Sequence, residues 1–375
     1  MVILGWGSIP WRFYNALSTC IRIDEKSMLR QNFCYILMLF LIFSCSNPEA
    51  SDRYISEKVD NSPAHTTTAI EEIDVFDIPT IKILFVTKRD GSFIYEKSDD
   101  QSAILDTLEY GYQVEVIGEE SDWFQIKERV SRSFLRDGNL VHSSGWEVVS
   151  IPKQNVGKLA QIKLKANDLY ETYDNTSVKG KIELLLISEA EFNKARIRRE
   201  SFLAKRESLV SSNDTVLTVV LGNGTNKVYV SMPNAEVEMV IYNYVGHLSF
   251  LNAYLLGIGY YEGGEYKLID ATRGEEIISF IDYPEISPDG RYIVSLYTNP
   301  YEISTDIQLH TIGRDKKIKK ELEASFSKWM VAQEPCEVFW LDNTTLVMKV
   351  THAQAFWDET GSLNRDSQYL KMKIL

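Results

Sequence analysis

From Ile81 onward the apolar residues fall in short alternating runs broken by turn residues, a period of two that predicts β-strands. The first group covers 82–86, 92–95, 104–108, 113–117, 123–126 and 145–149, with a turn at Tyr110-Gly111 and an acidic turn over 118–122. Strands this short with tight polar turns predict a small barrel, since a single flat sheet would leave one apolar face uncovered. The pattern returns at 215–221 and continues through 227–230, 238–245, 253–257, 266–270, 276–280, 292–297, 307–311, 338–341 and 346–350. Residues 153–212 connect the two groups. Within them Ser188-Glu189-Ala190-Glu191 has the spacing of a helix capping box, and Phe192, Ala195, Phe202 and Leu209 predict one apolar stripe on a helix. Lys194, Arg196, Arg198, Arg199, Lys205 and Arg206 make this stretch basic. It reads as a solvated helix face balanced by neighbouring Glu, with a docking face for an anionic partner as the alternative.

Upstream of Ile81 the pattern is of another kind. Residues 33–43 form an uninterrupted apolar run, preceded by Arg30 and followed by Ser44-Cys45. Such a run is too short to span a bilayer as a helix and has the length of a secretory signal core. Ile42-Phe43-Ser44-Cys45 resembles the lipobox of bacterial lipoproteins, with an apolar residue three before the Cys and a small one immediately before it. Phe43, between them, is bulkier than usual for that family. The resemblance implies a signal peptide over 28–44, cleavage before Cys45 and lipidation of that residue. It places the protein in the cell envelope on a lipid anchor, at the outer rather than the inner membrane because Ser46 is not Asp. A signal peptide with an incidental Cys, or an N-terminal anchor helix, is the alternative. Residues 1–27, with Trp6, Trp11 and mixed charges, read as an extension ahead of a true start at Met28, with an extended leading region of the signal as the alternative. Residues 45–80, polar, acidic and poor in large apolar side chains, read as a flexible tether.

At 375 residues the chain is long enough for two domains and a substantial core. Its net charge is −13, and the segment before Cys45 carries four basic and two acidic side chains, so the remainder is more negative still. An acidic chain lacks the Lys and Arg excess that phosphate-backbone binding needs, so nucleic acid is not an expected partner. Anionic lipid headgroups repel it too, which leaves covalent lipid as the membrane link. Cys20 and Cys34 lie in the discarded segment, so Cys336 is the one thiol left beside the acylated Cys45. Neither an intramolecular disulfide nor a zinc site of cysteine pairs is expected. His142, His247, His310 and His352 are scattered without metal-ligand spacing and read as surface or satisfied polar residues. No cofactor or metal is expected.

Three stretches of the first group carry a family resemblance. Leu108-Glu109-Tyr110-Gly111-Tyr112-Gln113-Val114, Glu120-Ser121-Asp122-Trp123 and Gly145-Trp146 together resemble the bacterial SH3-like (SH3b) domain over residues 81–152. Tyr95 stands where that family often has Arg, Glu147 where it has Val, and 127–144 lengthens the distal loop. The resemblance implies a barrel that the family uses both for wall binding and as scaffold. Further on, Ser287-Pro288-Asp289-Gly290 has a direct physical reading. Pro288 presets φ, Asp289 bonds back to the backbone, and Gly290 takes positive φ before a strand resumes. With degenerate copies at Phe339-Trp340-Leu341-Asp342 and Phe250-Leu251-Asn252-Ala253, the motif resembles the hairpin of TolB-like and WD40-like propeller blades. Three or four blades are implied, with an open stack or sandwich of sheets as the alternative. The expected fold is all-β: an SH3-like barrel over 81–152, a connector with a short helix over 153–212, and a multi-sheet, partial propeller-like or sandwich domain over 213–375.

Aromatic residues are the leading candidates for a binding site. Tyr95, Tyr110, Tyr112, Trp123 and Trp146 all fall in the small barrel, where exposed rings stack on sugar or peptide. The competing reading makes Trp123 and Trp146 core side chains. Tyr244, Tyr254, Tyr260 and Tyr261 form a second set, read mostly as core. Glu119, Glu120 and Asp122, at a hairpin tip, are expected to be solvated with ordinary acidity rather than catalytic. The sequence holds no local nucleophile–base motif and no phosphate-cradling loop. The expected function is therefore non-enzymatic: a lipid-anchored module that binds peptidoglycan, other cell-wall material or an envelope protein. A structural envelope protein without a specific ligand, or a hydrolase whose site is assembled from distant residues, is the alternative.

Overall fold

The computed structural model describes residues 74–136, 139–196, 203–204, 210–213, 215–235, 237–333 and 336–375. The N-terminal extension, the signal segment, Cys45 and most of the tether lie outside the described residues, as do Phe202 and Leu209. Pro79–Leu375 belongs to one compact unit. The unit Ile21–Ile78 is described only from Asp74, whose carboxylate accepts from Phe76 N–H at 3.0 Å and caps a single turn over Val75–Asp77.

The compact unit is all-β, with antiparallel sheets and a single α-helix among the described residues. Its first sheet contains β1 (Lys82–Val86), β2 (Ser92–Tyr95), β3 (Ile104–Leu108), β4 (Gln113–Glu120), β5 (Trp123–Arg136), β6 (Asn139–Pro152) and β7 (Val156–Gly157). In space these run β3-β2-β6-β5-β4-β1-β7. Val86, Ile94, Leu108, Val114, Ile126 and Ile151, drawn from right across that order, meet in one cluster, so the sheet curls over its own apolar face. Residues 127–144, expected as a lengthened loop, form over their described parts, 127–136 and 139–144, a regular two-stranded ribbon. β5 and β6 stay in register from Trp123↔Pro152 to Arg136↔Asn139. Cross-strand pairs such as Ser131/Ser144 and Ser133/His142 give a ladder of polar side chains that is compatible with strand and was not legible as alternation of apolar residues.

Next come β8 (Ile182–Ile187), α1 (Glu189–Arg196) and β9 (Leu203–Ala204). Ser188 Oγ accepts from Glu191 N–H at 3.2 Å, as the capping spacing predicts, and Phe192 and Ala195 bury the apolar face of the helix. The helix is described over Glu189–Arg196 and Leu203–Ala204 is already strand, so no single helix carries the stripe to Leu209.

The second sheet is β10 (Val210–Ser212), β11 (Val216–Val220) and β12 (Asn226–Val230). The third is the meander β13 (Val240–Leu248), β14 (Ala253–Tyr260), β15 (Gly263–Asp270) and β16 (Glu276–Phe280), with β9 paired to β13. The fourth is β17 (Glu285–Ile286), β18 (Tyr292–Asn299), β19 (Ser304–Ile312) and β20 (Ile318–Phe326). In the fifth, β21 (Trp329–Val331) and β22 (Val338–Trp340) both pair with β23 (Thr345–His352), which pairs with β24 (Gln368–Ile374). β8 completes this sheet, aligned Leu184↔Met372 and Ile182↔Ile374. Alternation did not predict β8, β20, β21 or β24. In β20 the run Lys319-Lys320-Glu321-Leu322-Glu323 favours helix by composition, and burial of Leu322, Ala324 and Phe326 against neighbouring strands overrides it.

The last four sheets stack in chain order. Leu217 and Val219 of the second meet Tyr254 and Leu256 of the third. Leu255 and Leu268 of the third meet Ile293 of the fourth. Ile307 and Leu309 of the fourth meet Leu346 and Met348 of the fifth. The far face of the fifth sheet, Phe339 and Val347, is covered by Phe192 and Ala195 of α1. Among the described residues no apolar cluster joins the second sheet to the fifth. Each of the three hairpin motifs joins two paired antiparallel strands: β13 to β14 in the third sheet (Asn252, φ 50°), β17 to β18 in the fourth (Gly290, φ 69°) and β22 to β23 in the fifth. At Ser287-Pro288-Asp289-Gly290, Ser287 Oγ donates to Asp289 Oδ1 at 2.8 Å and accepts from Arg291 and Tyr292 N–H at 3.1 and 2.9 Å. At Asp342, Oδ1 accepts from Thr344 N–H at 2.8 Å.

The register of β8 yields a paired test. Leu184 is 2% exposed and Leu185 is 44% exposed. Leu184→Ala is expected to cost about 2–5 kcal/mol, and Leu185→Ala to stay within about 0.5 kcal/mol, in urea unfolding followed by tryptophan fluorescence. Equal effects would mean that β8 is out of register or unpaired.

Candidate functional site

The outer face of the β5–β6 ribbon carries three of the five aromatic candidates. Directly opposed residues of an antiparallel ladder point to the same side. Trp123/Pro152, Gln125/Ser150, Lys127/Val148 and Arg129/Trp146 therefore form one face, alternating with the core-side pairs Phe124/Ile151 and Ile126/Val149. Tyr95 joins the outer face by pairing with Ser150, and its ring meets Trp123 edge-on at 5.1 Å. About 20 Å further along, at strand spacing, Trp146 stands 41% exposed beside Val148. Toward the tip follow Ser131/Ser144 and Ser133/His142. Arg129 Nε donates to Ser144 Oγ at 2.9 Å, and Ser133 Oγ lies 2.8 Å from His142 Nδ1. Beyond Lys127 on β5, and before Ser150 on β6, neither ribbon edge has a strand partner among the described residues.

Neither tryptophan is a core side chain, which corrects that reading for both. Trp123 is half-buried against Tyr95 and Trp146 is exposed, because the inward positions belong to Phe124 and Val149. Tyr112 and Tyr110 lie elsewhere, so the tyrosines form no single exposed stripe. Tyr112 donates its hydroxyl to Glu128 Oε1 at 3.1 Å, on the core side of β5. Burial lifts the Glu128 carboxyl above its ordinary range, against bonds from Arg129 N–H and Tyr112; burial and Glu128 in turn raise the Tyr112 hydroxyl. Tyr110 is locked in place. Its hydroxyl accepts from Lys163 N–H at 2.8 Å and donates to the Gln161 carbonyl at 3.1 Å. The Arg89 guanidinium sits 4.1 Å from its ring centroid, and His352 meets it edge-on at 5.2 Å. Glu119 also departs from expectation, since Lys153 at 2.7 Å and Lys82 at 3.2 Å bracket it and hold its pKa down. In the second aromatic set Tyr254 is buried, Tyr244 half-buried, and Tyr260 and Tyr261 exposed.

A polar node beside Tyr110 escaped the sequence. Arg89 donates to both carboxylate oxygens of Asp168, at 2.5 and 2.6 Å, and to the Lys163 carbonyl at 3.1 Å. Lys165 N–H adds a bond to Asp168 at 2.7 Å. Burial acts to raise the Asp168 carboxyl, and the bonds from Arg89 and Lys165 outweigh it, so its pKa is lowered. The partners are 79 residues apart, and no local pattern marks either. Through Tyr110 and His352 the node joins the first sheet to the end of β23. His352, His247 and His310 are all buried, and among the described residues His310 Nδ1 has no hydrogen-bond partner, which departs from the satisfied polar residue expected.

The ribbon face is suited to stacking and hydrogen bonding. Ser133 and His142 are within reach of each other, but the pair is exposed and no carboxylate is bonded to His142 among the described residues. In the same residues no group of three or more His, Cys, Asp or Glu is placed to hold a metal ion, and no helix is long and apolar enough to cross a membrane. No family profile matches the sequence, and no curated protein matches it.

The buried histidines fix a pH response. Burial lowers His352 and His310 from 6.5 to about 4, with Arg89 and Lys328 adding to the effect on His352 and Asp168 opposing it. Between those values the unfolded chain takes up protons that the folded chain refuses, so stability falls as pH falls. Asp282, raised from 3.8 to about 6 by burial, acts the other way across nearly the same window. Glu128, raised by burial as well, acts in the same direction as Asp282, so the histidine contribution is read by difference. Against the wild type, the urea midpoint of His352→Gln is expected to shift upward as pH falls from 6.5 to about 4.5. A variant with the wild-type slope would remove His352 from this account.

Proposed function

We propose that the protein is a lipid-anchored envelope component whose β5–β6 ribbon binds cell-wall glycan. The observation that carries this reading is the outer ribbon face itself. It presents an exposed Trp146 with Val148, Gln125, Arg129 and a row of hydroxyls, and β5 and β6 place no acidic side chain on it. On a chain of net charge −13, such a face favours a neutral or anionic partner. An aromatic face stacks on the apolar side of a sugar ring, neighbouring hydroxyl and amide groups satisfy its rim, and the exposed Arg129 suits the carboxylates of attached peptides. Trp and Arg are also the side chains that most often dominate binding energy at a surface. Anchoring through Cys45 confines the ribbon near the wall and raises its effective concentration there, so modest intrinsic affinity suffices.

Two variants test the reading separately. Trp146→Ala is expected to lower retention on purified sacculi severalfold while leaving the thermal midpoint nearly unchanged, since the side chain is largely outside the core. Cys45→Ser is expected to abolish fatty-acid labelling without affecting retention in solution. Undiminished retention in Trp146→Ala would take the ribbon out of the binding face. Equal labelling of Cys45→Ser would remove the anchor.

A further inference from the structure

A cleft of about 960 Å³ opens along β1, with a volume in the range of small-ligand sites. Consecutive residues of that strand, Lys82, Ile83, Leu84 and Phe85, line it. Neighbouring side chains of a strand point to opposite faces, so a lining built from every residue in turn is the strand's edge and not one of its faces. Lys158–Ala160 and the loop 358–366 supply most of the remaining lining, and no residue of the ribbon face takes part.

The backbone pairing leaves this edge open. β1 pairs with β4 from Lys82 to Phe85, but with β7 only at Phe85 and Val86. β7 stops there because a tight turn over Leu159–Gln161 carries the chain away. Gln161 Oε1 accepts from Lys158 N–H at 2.8 Å, and Ile162 N–H donates to the Leu159 carbonyl at 2.8 Å. Along β1 the direction of hydrogen bonding alternates: Val86 N–H donates to Tyr112 on the β4 side, and Thr87 N–H to Asn155 on the β7 side. By the same alternation Ile83 turns its N–H and C=O to the β7 side, where β7 has already ended. Neither group has a partner among the described residues. The loop 358–366 is held by its own bonds. Asp358 Oδ1 accepts from Thr360 and Ser362 N–H at 2.8 and 2.9 Å, and Asn364 N–H donates to the Phe356 carbonyl at 2.9 Å. The exposed side chains of Lys158, Glu359, Arg365 and Asp366 have no ion pair among the described residues.

We infer that this cleft takes a short extended peptide, which adds to β1 as a strand in the line that β7 vacates and bonds the N–H and C=O of Ile83. An open sheet edge is a template for another chain. Here the loop 358–366 stands beside the edge, which favours the single strand of a peptide over the whole sheet of a second copy. In strand addition the main-chain bonds supply affinity and the flanking side chains read alternate residues of the peptide. Lys158 and Arg365 with Glu359 and Asp366 give the rim both signs of charge, so the peptide it suits carries acidic and basic side chains together. At strand spacing the edge from Lys82 to Phe85 is about 10 Å long, enough for a peptide of about four residues. The site stands whether or not the ribbon binds anything.

Calorimetric titration of the full chain with the capped peptide Val-Lys-Val-Glu-Val tests it, with amide hydrogen exchange at Ile83 followed in parallel. The control is the same peptide methylated on every backbone nitrogen. The unmodified peptide is expected to bind and to slow exchange at Ile83, and the methylated one to do neither. Ala160→Trp, which fills the cleft from an exposed position, is expected to abolish binding. Arg365→Glu is expected to weaken it about two- to fivefold, the loss of one exposed charge contact. Trp146→Ala is expected to leave it unchanged. Absence of binding, unaltered exchange at Ile83, equal binding of the methylated peptide, wild-type affinity in Ala160→Trp or Arg365→Glu, or loss of binding in Trp146→Ala would each overturn the assignment.

Discussion

A sheet that is apolar on both faces has to be covered on both, and that constraint orders the C-terminal half of the molecule. The third sheet shows it in adjacent residues of β14. Leu255 points to the fourth sheet and Leu256 to the second. The fourth sheet repeats the pattern, with Ile293 facing one neighbour and Val294 the other. Each sheet is thus both core and cover for the next. The series has to terminate in something that is not another sheet, and α1 serves that end, with a helix face wide enough for Phe339, Val347 and Tyr369.

The first sheet solves the same problem alone, by curling. What ties it to the rest is mostly polar. Arg89 Nη2 bonds both carboxylate oxygens of Asp168 while the guanidinium lies over the Tyr110 ring, and an apolar contact among Phe85, Ile162 and Ala355 lies close by. A paired buried charge adds little net stability compared with an apolar replacement, but it tolerates only one geometry. The junction therefore fixes orientation more than it adds strength, which suits a surface such as the ribbon face that must be held at a set angle.

Much of this fold was legible in the sequence, and its gaps have physical causes. Short apolar runs bounded by turn residues found strands such as 82–86 and 276–280 to the residue, although β1 is packed on both faces, Val86 in the core of the first sheet and Phe85 against Ile162 and Ala355. The pattern failed at β20, whose charges mimic a helix, and at β8, whose partner lies at the other end of the chain. The ribbon was missed because its outer half alternates between polar side chains, which carry no apolar period. The aromatic candidates were partly legible. Residue type singled out Trp146, but which of Trp123 and Phe124 faces inward depends on register, and a shift of one residue reverses the answer. The Arg89–Asp168 node was invisible, since its partners stand 79 residues apart in segments with no common local pattern.

The pairing of β8 with β24 has a consequence for how the chain is made. β8 is synthesised long before β24, the strand it pairs with in the register Ile182↔Ile374. Until β24 emerges the edges of β8 and β23 stay open, and the loop between the paired strands has to close against a large entropy cost. Long-range pairing of this kind slows folding and prolongs the exposure of sticky edges. Without β24, two unpaired edges would stand in place of one buried strand. The fifth sheet is therefore the last to seal, and β24 is the strand that seals it.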